Sequence, residues 1–322
     1  MPFWTKKIDW ENSLAHQELL SMFLKQYRTK DLYQNKGWFS EWHRVLGESP
    51  KTAIDRYIKN GYLVLASLPN ILDSSFKLTE LKGMAKKYGV PLSGKKADLI
   101  TRLVAHDNKG LTQEVSRITD VYSCSETGKP IAEKYKLFRK EEHDQCEIAT
   151  LEALRNKRFS DAVRLYIVYQ RNQVFPTGVD TNNVTMFENS LKFVFSAHPG
   201  ILADIDSQTL DSFRIAAGMK ILWMSDISPN WLPENFNWNH RLDVDTACNM
   251  LNFYAIHQQQ LKDIHRERRN YKGVQITSAS DSCSNCKKLA NKVFDLDHIP
   301  ELPHPNCTNK MGCRCNLYPV WK

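Results

Sequence analysis

Five of the eight cysteines in this chain lie within its last forty residues. Cys283 and Cys286 form a Cys-x-x-Cys pair, and this spacing lets two thiolates from one tight turn bind the same ion. In a reducing compartment, thiols at this density indicate metal ligands rather than disulfides. We therefore expect a structural zinc ion here. Its other ligands come from a set larger than one tetrahedral ion requires: His304, Cys307, Cys313 and Cys315.

Residues 278–320 also carry a longer pattern, made of Asp281, the Cys-x-x-Cys pair, Leu289, Phe294, Leu302-Pro303-His304-Pro305, Cys313-Arg314-Cys315 and Pro319-Val320. This pattern resembles the C-terminal tail of phage Mu-type head-morphogenesis (minor head) proteins. The resemblance implies the ligand set Cys283, Cys286, Cys313 and Cys315. Because residues 307–312 are inserted before the Cys-x-Cys, Cys307 or His304 can substitute for one of these ligands. Phage capsid or portal proteins are then possible partners.

A second segment of the chain is strongly basic. Between positions 77 and 102 there are seven basic residues and only two acidic ones, Glu80 and Asp98. Apolar residues recur at helical spacing over 78–88 and again over 99–104, which predicts two short amphipathic helices. A local positive excess of this kind favours an anionic partner.

Three runs in the basic segment are distinctive: Glu80-Leu81-Lys82, Tyr88-Gly89-Val90 and Ser93-Gly94-Lys95-Lys96-Ala97-Asp98-Leu99-Ile100. Together they resemble the SAP motif, a helix-turn-helix-like element of DNA-associated proteins, over about residues 76–104. The resemblance implies contact with duplex DNA at the start of the second helix. Free amides at a helix start suit a phosphate, and lysines extend such a contact without reading sequence. The predicted DNA-binding residues are Lys82, Lys86, Lys87, Ser93, Gly94, Lys95, Lys96 and Arg102.

The search for catalytic motifs gives one weak candidate. Asp297-His298 follows the Cys-x-x-Cys pair and superficially resembles the Asp-His step of HNH nucleases, where histidine activates water beside a divalent metal. The downstream half of such a site is missing, because residues 300–306 are too few for the expected strand, turn and helix. A metal-dependent nuclease is therefore kept only as an alternative. No Gly-rich phosphate loop, Walker lysine or nucleophile elbow is present, so an ATPase or hydrolase has no support.

The predicted fold is mainly α and multi-domain. We expect a helical N-terminal region at 1–75, the SAP element at 76–104, a helical central region at 105–272 and a zinc-ribbon-like module at 273–322. Hydrophobic residues make up 42% of the chain, yet no stretch approaches the ~18 apolar residues of a membrane span. Residues 1–7 are followed at once by acidic residues rather than a long apolar region, so no secretory signal is expected.

These observations predict a cytoplasmic, non-catalytic DNA-binding protein. The formal net charge of +8 agrees with an anionic partner but does not by itself prove one. In this interpretation the basic segment contacts duplex DNA, and a second cluster at Arg266, Arg268 and Arg269 adds another phosphate contact. The alternatives are a phage head or portal-associated structural protein and the HNH-like nuclease.

Overall fold

The computed structural model describes residues 9–176 and 184–322. Residues 1–7, which bear on the expectation about a secretory signal, and positions 177–183 of a loop predicted at 172–186 lie outside the described residues. The chain divides into two compact units, Met1–Glu142 and His143–Lys322. The finer division into four regions stays a prediction.

The prediction of a mainly helical fold is confirmed. The α-helices are α1 (Leu14–Ser21), α2 (Thr29–Gln34), α3 (Lys36–Leu46), α4 (Pro50–Lys59), α5 (Leu68–Ser75), α6 (Leu78–Lys87), α7 (Lys96–His106), α8 (Asn108–Val115), α9 (Gly128–Arg155), α10 (Phe159–Arg171), α11 (Val184–Ser196), α12 (Ser207–Trp223), α13 (Val244–Arg266) and α14 (Ser284–Leu289). The β-strands are β1 (Tyr27–Arg28), β2 (Leu63–Leu65), β3 (Val121–Cys124), β4 (Tyr271–Thr277), β5 (Val293–Phe294) and β6 (Asn316–Trp321). Among the described residues, no helix is both long and apolar enough to cross a membrane.

The first unit contains a small antiparallel sheet with the strand order β1-β3-β2. A partly buried network of His16, Glu48 and Arg56 connects α1 to α4 beside this sheet. His16 Nε2 lies 2.8 Å from Glu48 Oε1, and Glu48 also accepts hydrogen bonds from the Arg56 guanidinium. Burial acts to raise the pKa of Glu48, but the hydrogen bonds from Arg56 and His16 outweigh it and lower that pKa below its ordinary value.

The basic segment forms part of a larger helical core. Helix α7 packs against α5, α6 and α8, and the leucines Leu81, Leu99, Leu103 and Leu111 are fully buried between them. Two helices of ten and eleven residues bury too little apolar surface to be stable alone. The flanking helices α5 and α8 therefore complete this helical core, of which the sequence pattern predicted only α6 and α7.

The second unit is built on helices α10 to α13, which pack around one core with the second three-stranded sheet. That sheet is antiparallel in the order β5-β4-β6, and Val274, Ile276 and Leu317 are buried in the same core. Close helix packing occurs at Gly218 of α12, where a Cβ atom would lie 3.2 Å from Leu154 Cδ1. The cysteine-rich loops join the strands of this sheet.

Candidate metal centre and nucleic-acid interface

Five free cysteines converge in the second unit. Cys283 immediately precedes α14 and Cys286 lies in its first turn. The other three lie in the loops that lead into β6. Four of the five are buried, and Cys283 is partly buried. The cluster members are Cys283, Cys286, Cys307, Cys313 and Cys315.

Cys286 stands at the centre of the cluster. Its Sγ belongs to one group of possible ligands with Cys283 and Cys307 and to another with Cys313 and Cys315. The Sγ of Cys307 lies 3.7 Å from the Sγ atoms of both Cys283 and Cys286, and the Sγ of Cys313 lies 3.9 Å from that of Cys286. The structure therefore brings together all the cysteines that the sequence nominated, including Cys307.

Three of the sulfur–sulfur distances in the cluster suit a tetrahedral ion, although among the described residues no four of the sulfurs all lie within 4.8 Å of one another. A Zn–S bond of about 2.3 Å places neighbouring sulfurs roughly 3.8 Å apart at tetrahedral angles, and the measured distances of 3.7 and 3.9 Å lie on either side of that value. A set of thiolates is also the donor type that zinc and other thiophilic ions prefer. These residues fit a metal ion, although the geometry alone does not identify the element.

The thiols of this cluster differ in acidity. Burial acts to raise the pKa of Cys283, but hydrogen bonds with the Thr308 and Cys286 backbone and with neighbouring thiols lower it to about 7. Hydrogen bonding to Cys286 likewise lowers the pKa of Cys313, whereas hydrogen bonds to three neighbouring thiols raise that of Cys286. Crowded thiols cannot all ionise without a cation between them. A bound metal ion would supply the charge that lets the remaining protons leave.

His304, the second possible substitute ligand, is placed differently. Its Nδ1 accepts a hydrogen bond of 3.0 Å from the Asn306 amide, and among the described residues His304 joins none of the clusters of possible ligands. The ring therefore shapes the turn that leads to Cys307. The Cys307 amide in turn donates to the His304 carbonyl at 2.8 Å.

His257 of α13 is a structural residue that the sequence pattern did not reveal. It is 1% exposed, and its ring nitrogens lie 3.2 Å from the Leu302 carbonyl oxygen and 2.7 Å from the Cys315 carbonyl oxygen. This one side chain thus holds two points of the cysteine-rich loops against the helical core. Nothing in the sequence around His257 could have signalled this role, because both partners are backbone atoms far along the chain.

A further cluster of possible ligands lies on α9. It contains His143, Asp144 and Glu147. Glu147 Oε1 accepts a hydrogen bond of 2.6 Å from Trp231 Nε1, and the His143 ring packs 4.7 Å from that of Trp223. These contacts give the cluster a structural role in fastening α9 to its neighbours.

In the first unit, the turn before α7 has a specific backbone geometry. Gly94 has a φ of +99°, a region that favours glycine, and the next amide, that of Lys95, donates to Asp98 Oδ2 at 3.0 Å. The carboxylate of Asp98 therefore caps this helix start and occupies part of the anion site predicted for a phosphate. Exposed lysine side chains must then carry more of any phosphate contact than the amides do.

Arg102 braces the same turn from the inside of the loop. Its Nη1 donates to the Pro91 carbonyl at 2.7 Å, and its Nη2 donates to the Ser93 carbonyl. The guanidinium is thus engaged with the backbone that presents Ser93 and Gly94. Arg102 serves as a positioning residue in this conformation.

Two of the predicted DNA-binding lysines have acidic partners. Lys87 Nζ lies 3.0 Å from Glu114 Oε2, and Lys96 Nζ lies 3.2 Å from Asp73 Oδ1. Tyr88 and then Lys87, through their hydrogen bonds, lower the pKa of Glu114. Both acidic residues lie outside the runs that carry the motif, so the motif itself could not predict these pairs.

Three other lysines from the predicted set are exposed, namely Lys82 and Lys86 on α6 and Lys95 before α7. None of the three forms an ion pair within residues 9–176 and 184–322.

Residues 74–108 match the family model of the SAP domain. This segment is a SAP domain. The resemblance predicted for residues 76–104 is confirmed, and a SAP domain indicates nucleic-acid binding.

No curated protein and no solved structure matches the chain. The resemblance of the C-terminal cysteine pattern to phage head-morphogenesis proteins is therefore unsupported by any relative. The SAP domain covers a small part of the chain, and the function of the remainder has to be argued from its own geometry.

Outside the SAP domain, the predicted arginine cluster is partly neutralised. Arg266 lies 3.1 Å from Asp263, and Arg268 contacts both carboxylate oxygens of Asp297 at 3.1 Å. Arg269 is exposed. Of these arginines, Arg269 offers the most accessible charge for a second phosphate contact.

Proposed function

We propose that this chain is a non-catalytic DNA-binding protein that uses its SAP domain to contact duplex DNA and its cysteine cluster to hold one structural zinc ion. The observation that supports DNA binding most directly is the set of exposed lysines Lys82, Lys86 and Lys95 on a segment that matches the SAP family. Two of these lysines are four residues apart on α6, so they lie on one face of that helix.

Binding through these lysines would be governed by the phosphate backbone. Each lysine that neutralises a phosphate releases condensed counterions, which makes affinity depend steeply on salt and little on base sequence. Lys87 and Lys96 are proposed to add to this surface by exchanging their partners for phosphates. Exposed ion pairs are worth only about 0–1 kcal/mol, so that exchange has a small cost.

The backbone at Ser93 and Gly94 is proposed to let the DNA approach the start of α7 closely. Both residues are exposed, and the turn that holds them is fixed by Arg102 and Asp98. A rigid loop loses little conformational entropy on binding. In this account Arg102 acts on DNA through the loop that it positions.

For the metal centre, we propose zinc bound by Cys283, Cys286, Cys307 and Cys313. The resemblance to phage proteins implied Cys315 in place of Cys307. The distances favour Cys307, because its sulfur is 3.7 Å from both thiols of the Cys-x-x-Cys pair. Zinc supplies no reaction here. It would stabilise a small module by an amount on the order of 10 kcal/mol, as in zinc-finger peptides.

The nuclease alternative gains nothing from the geometry. Asp297 is engaged by Arg268, while His298 Nδ1 lies 3.7 Å from Asp295. Neither Asp297 nor His298 belongs to a cluster of possible metal ligands within the described part of the chain. A role in a phage head likewise depends on the C-terminal cysteine pattern alone.

DNA binding is tested by a gel mobility shift of the full chain on duplex DNA at low salt, with and without Mg²⁺. The proposal predicts a retarded and uncleaved duplex under both conditions. A duplex that runs free at every protein concentration would exclude DNA binding. Cleavage that requires Mg²⁺ would instead restore the nuclease alternative.

Zinc binding is tested by elemental analysis of the purified protein. We expect about one zinc per chain, which the Cys286→Ser variant should lose because that thiol is central to the cluster. Cys248→Ser is the matched control, since Cys248 is a buried free thiol outside the cluster. A wild-type protein without zinc, or a Cys286→Ser protein with its full complement, would contradict the assignment.

A further inference from the structure

Helices α11, α12 and α13 of the second unit leave an open cavity of about 790 Å³ between them. Cavities of about 300–1,000 Å³ are typical of sites for small molecules. The walls of this cavity are largely apolar and include Phe187, Ile221 and Phe253. Neither the SAP domain nor the cysteine cluster contributes a residue to it.

Large apolar side chains are exposed where the cavity meets solvent. Met186, Met224 and Ile256 line it and are 49%, 69% and 46% exposed. Met224 ends α12 with a φ of +48°, a conformation that a residue with a long side chain adopts at a cost. Apolar side chains grouped around a concave surface mark a binding site more often than scattered ones do.

The two charged residues that line the cavity differ in whether they have a partner. The carboxylate of Asp226 is exposed at the cavity and forms no ion pair within the described part of the chain. The one lining cation, Lys220, is held by Asp245 at 2.5 Å. An unpaired carboxylate beside a neutralised cation favours a ligand that brings a hydrogen-bond donor and carries no negative charge.

We propose that this cavity binds a small apolar molecule, about the size of a two- or three-ring aromatic compound, that carries an N–H donor and no negative charge. The apolar walls take the rings, and the donor meets the Asp226 carboxylate. An anionic analogue is disfavoured because the free charge at the cavity is the Asp226 carboxylate. This binding activity is separate from DNA binding and from zinc binding.

The test uses two dyes with the same ring system. N-phenyl-1-naphthylamine is uncharged and has one N–H group, and 8-anilinonaphthalene-1-sulfonate differs from it by one sulfonate. Both fluoresce more strongly in apolar surroundings. Titrated into the full chain, the uncharged amine should bind saturably at one molecule per chain, and the sulfonate should bind at least tenfold more weakly.

Ser190→Trp locates the binding in the cavity. Ser190 lines the cavity, and among the described residues its hydroxyl donates only to the Met186 carbonyl, at 3.0 Å, so an indole there fills space without breaking a tertiary hydrogen bond. We expect at least a tenfold loss of amine binding. Ser212→Trp on α12 is the matched control, since the Ser212 hydroxyl donates in the same way to the Gln208 carbonyl and does not line the cavity.

Met186→Ser provides a second test if circular dichroism shows that Ser190→Trp does not fold. Met186 is half exposed, so its loss should leave the core intact while weakening amine binding at least threefold. Met311→Ser, another exposed methionine, is its control. Absence of saturable amine binding, tighter binding of the sulfonate, or unchanged binding in the folded cavity variant would overturn the proposal.

Discussion

The Nε2 atom of His257, in the middle of α13, lies 2.7 Å from the carbonyl oxygen of Cys315. The other ring nitrogen faces the Leu302 carbonyl oxygen at 3.2 Å. One buried side chain thus connects the helical core with both sides of the cysteine-rich loops. We expect the position of the thiols to depend on this contact, although His257 joins none of the clusters of possible metal ligands among the described residues.

Replacement of His257 by Leu should weaken metal binding without removing a thiol. Leucine fills a similar volume but removes the ring's hydrogen-bond donor from between two buried carbonyl groups, and a buried group left unsatisfied costs roughly 1–3 kcal/mol. Residues that orient metal ligands typically change metal affinity by about 10–100-fold. We expect a loss in that range when zinc is titrated against a chelating indicator.

His265→Leu is a suitable control, because its ring also lies near a carbonyl, that of Leu296 at 3.1 Å, but is exposed. Its zinc affinity should stay within about threefold of wild type, since this bond is only partly buried and water can replace the ring. Equal zinc affinity in wild type and the folded His257→Leu protein would show that the contact does not position the thiols.

Paired substitutions can show whether Cys307 or Cys315 is the fourth zinc ligand. Cys307→Ser should lose zinc, because this thiol lies 3.7 Å from both members of the Cys-x-x-Cys pair. Cys315→Ser should retain about one zinc per chain with an affinity reduced less than tenfold. Both thiols are fully buried, so the two variants are matched in the burial of the lost group.

Elemental analysis after dialysis against a weak chelator measures the difference. The reverse result, with zinc lost from Cys315→Ser and kept by Cys307→Ser, would support the ligand set implied by the phage resemblance. Loss of zinc from both variants would show that the fifth thiol is required to form the site.

The cysteine pattern predicted part of the metal centre from sequence alone. Cys-x-x-Cys spacing is local, so Cys283 and Cys286 could be assigned to one site directly. The choice among Cys307, Cys313 and Cys315 depends on how two loops fold back on α14, and that information is held in contacts such as the one from His257. Sequence spacing carries no record of a bond between a side chain and a distant backbone carbonyl.

In the basic segment, the sequence motif likewise predicted the helices but not the ion pairs of their lysines. Motif residues predicted the SAP domain correctly, since they define its two central helices. They could not show that Asp73 and Glu114, contributed by α5 and α8, pair with Lys96 and Lys87. Those partners lie outside the two predicted helices. Which lysines of this surface are unpaired therefore depends on the packing of all four helices, α5 to α8.

Acid should destabilise the first unit through Glu48. Hydrogen bonds from Arg56 and His16 lower the folded-state pKa of Glu48 below its unfolded value of about 4.3. The resulting stability is fully present above the unfolded pKa and is lost as pH falls through the folded pKa. Glu48→Gln should therefore lower the free energy of unfolding by about 1–3 kcal/mol at pH 7, and by progressively less below about pH 4.

Urea denaturation of wild type and Glu48→Gln at pH 7 and at several values below 4.5 measures this effect. Glu41→Gln is the control, because Glu41 is an exposed residue paired only with Arg44 three positions away on the same helix. A difference between wild type and Glu48→Gln that stays constant down to pH 3 would contradict the assigned ion-pair network.

The salt dependence of duplex binding shows whether the exposed lysines of the SAP domain contact DNA phosphates. In the triple variant Lys82→Gln, Lys86→Gln and Lys95→Gln, each lost phosphate contact should reduce the slope of log K against log salt by about 0.9. The control variant, Lys36→Gln with Lys51→Gln and Lys134→Gln, has the same change in charge at exposed sites outside the SAP domain. The account predicts a slope lower by roughly two to three units in the first variant and by less than one in the second. Equal slopes in wild type and the SAP variant would contradict it.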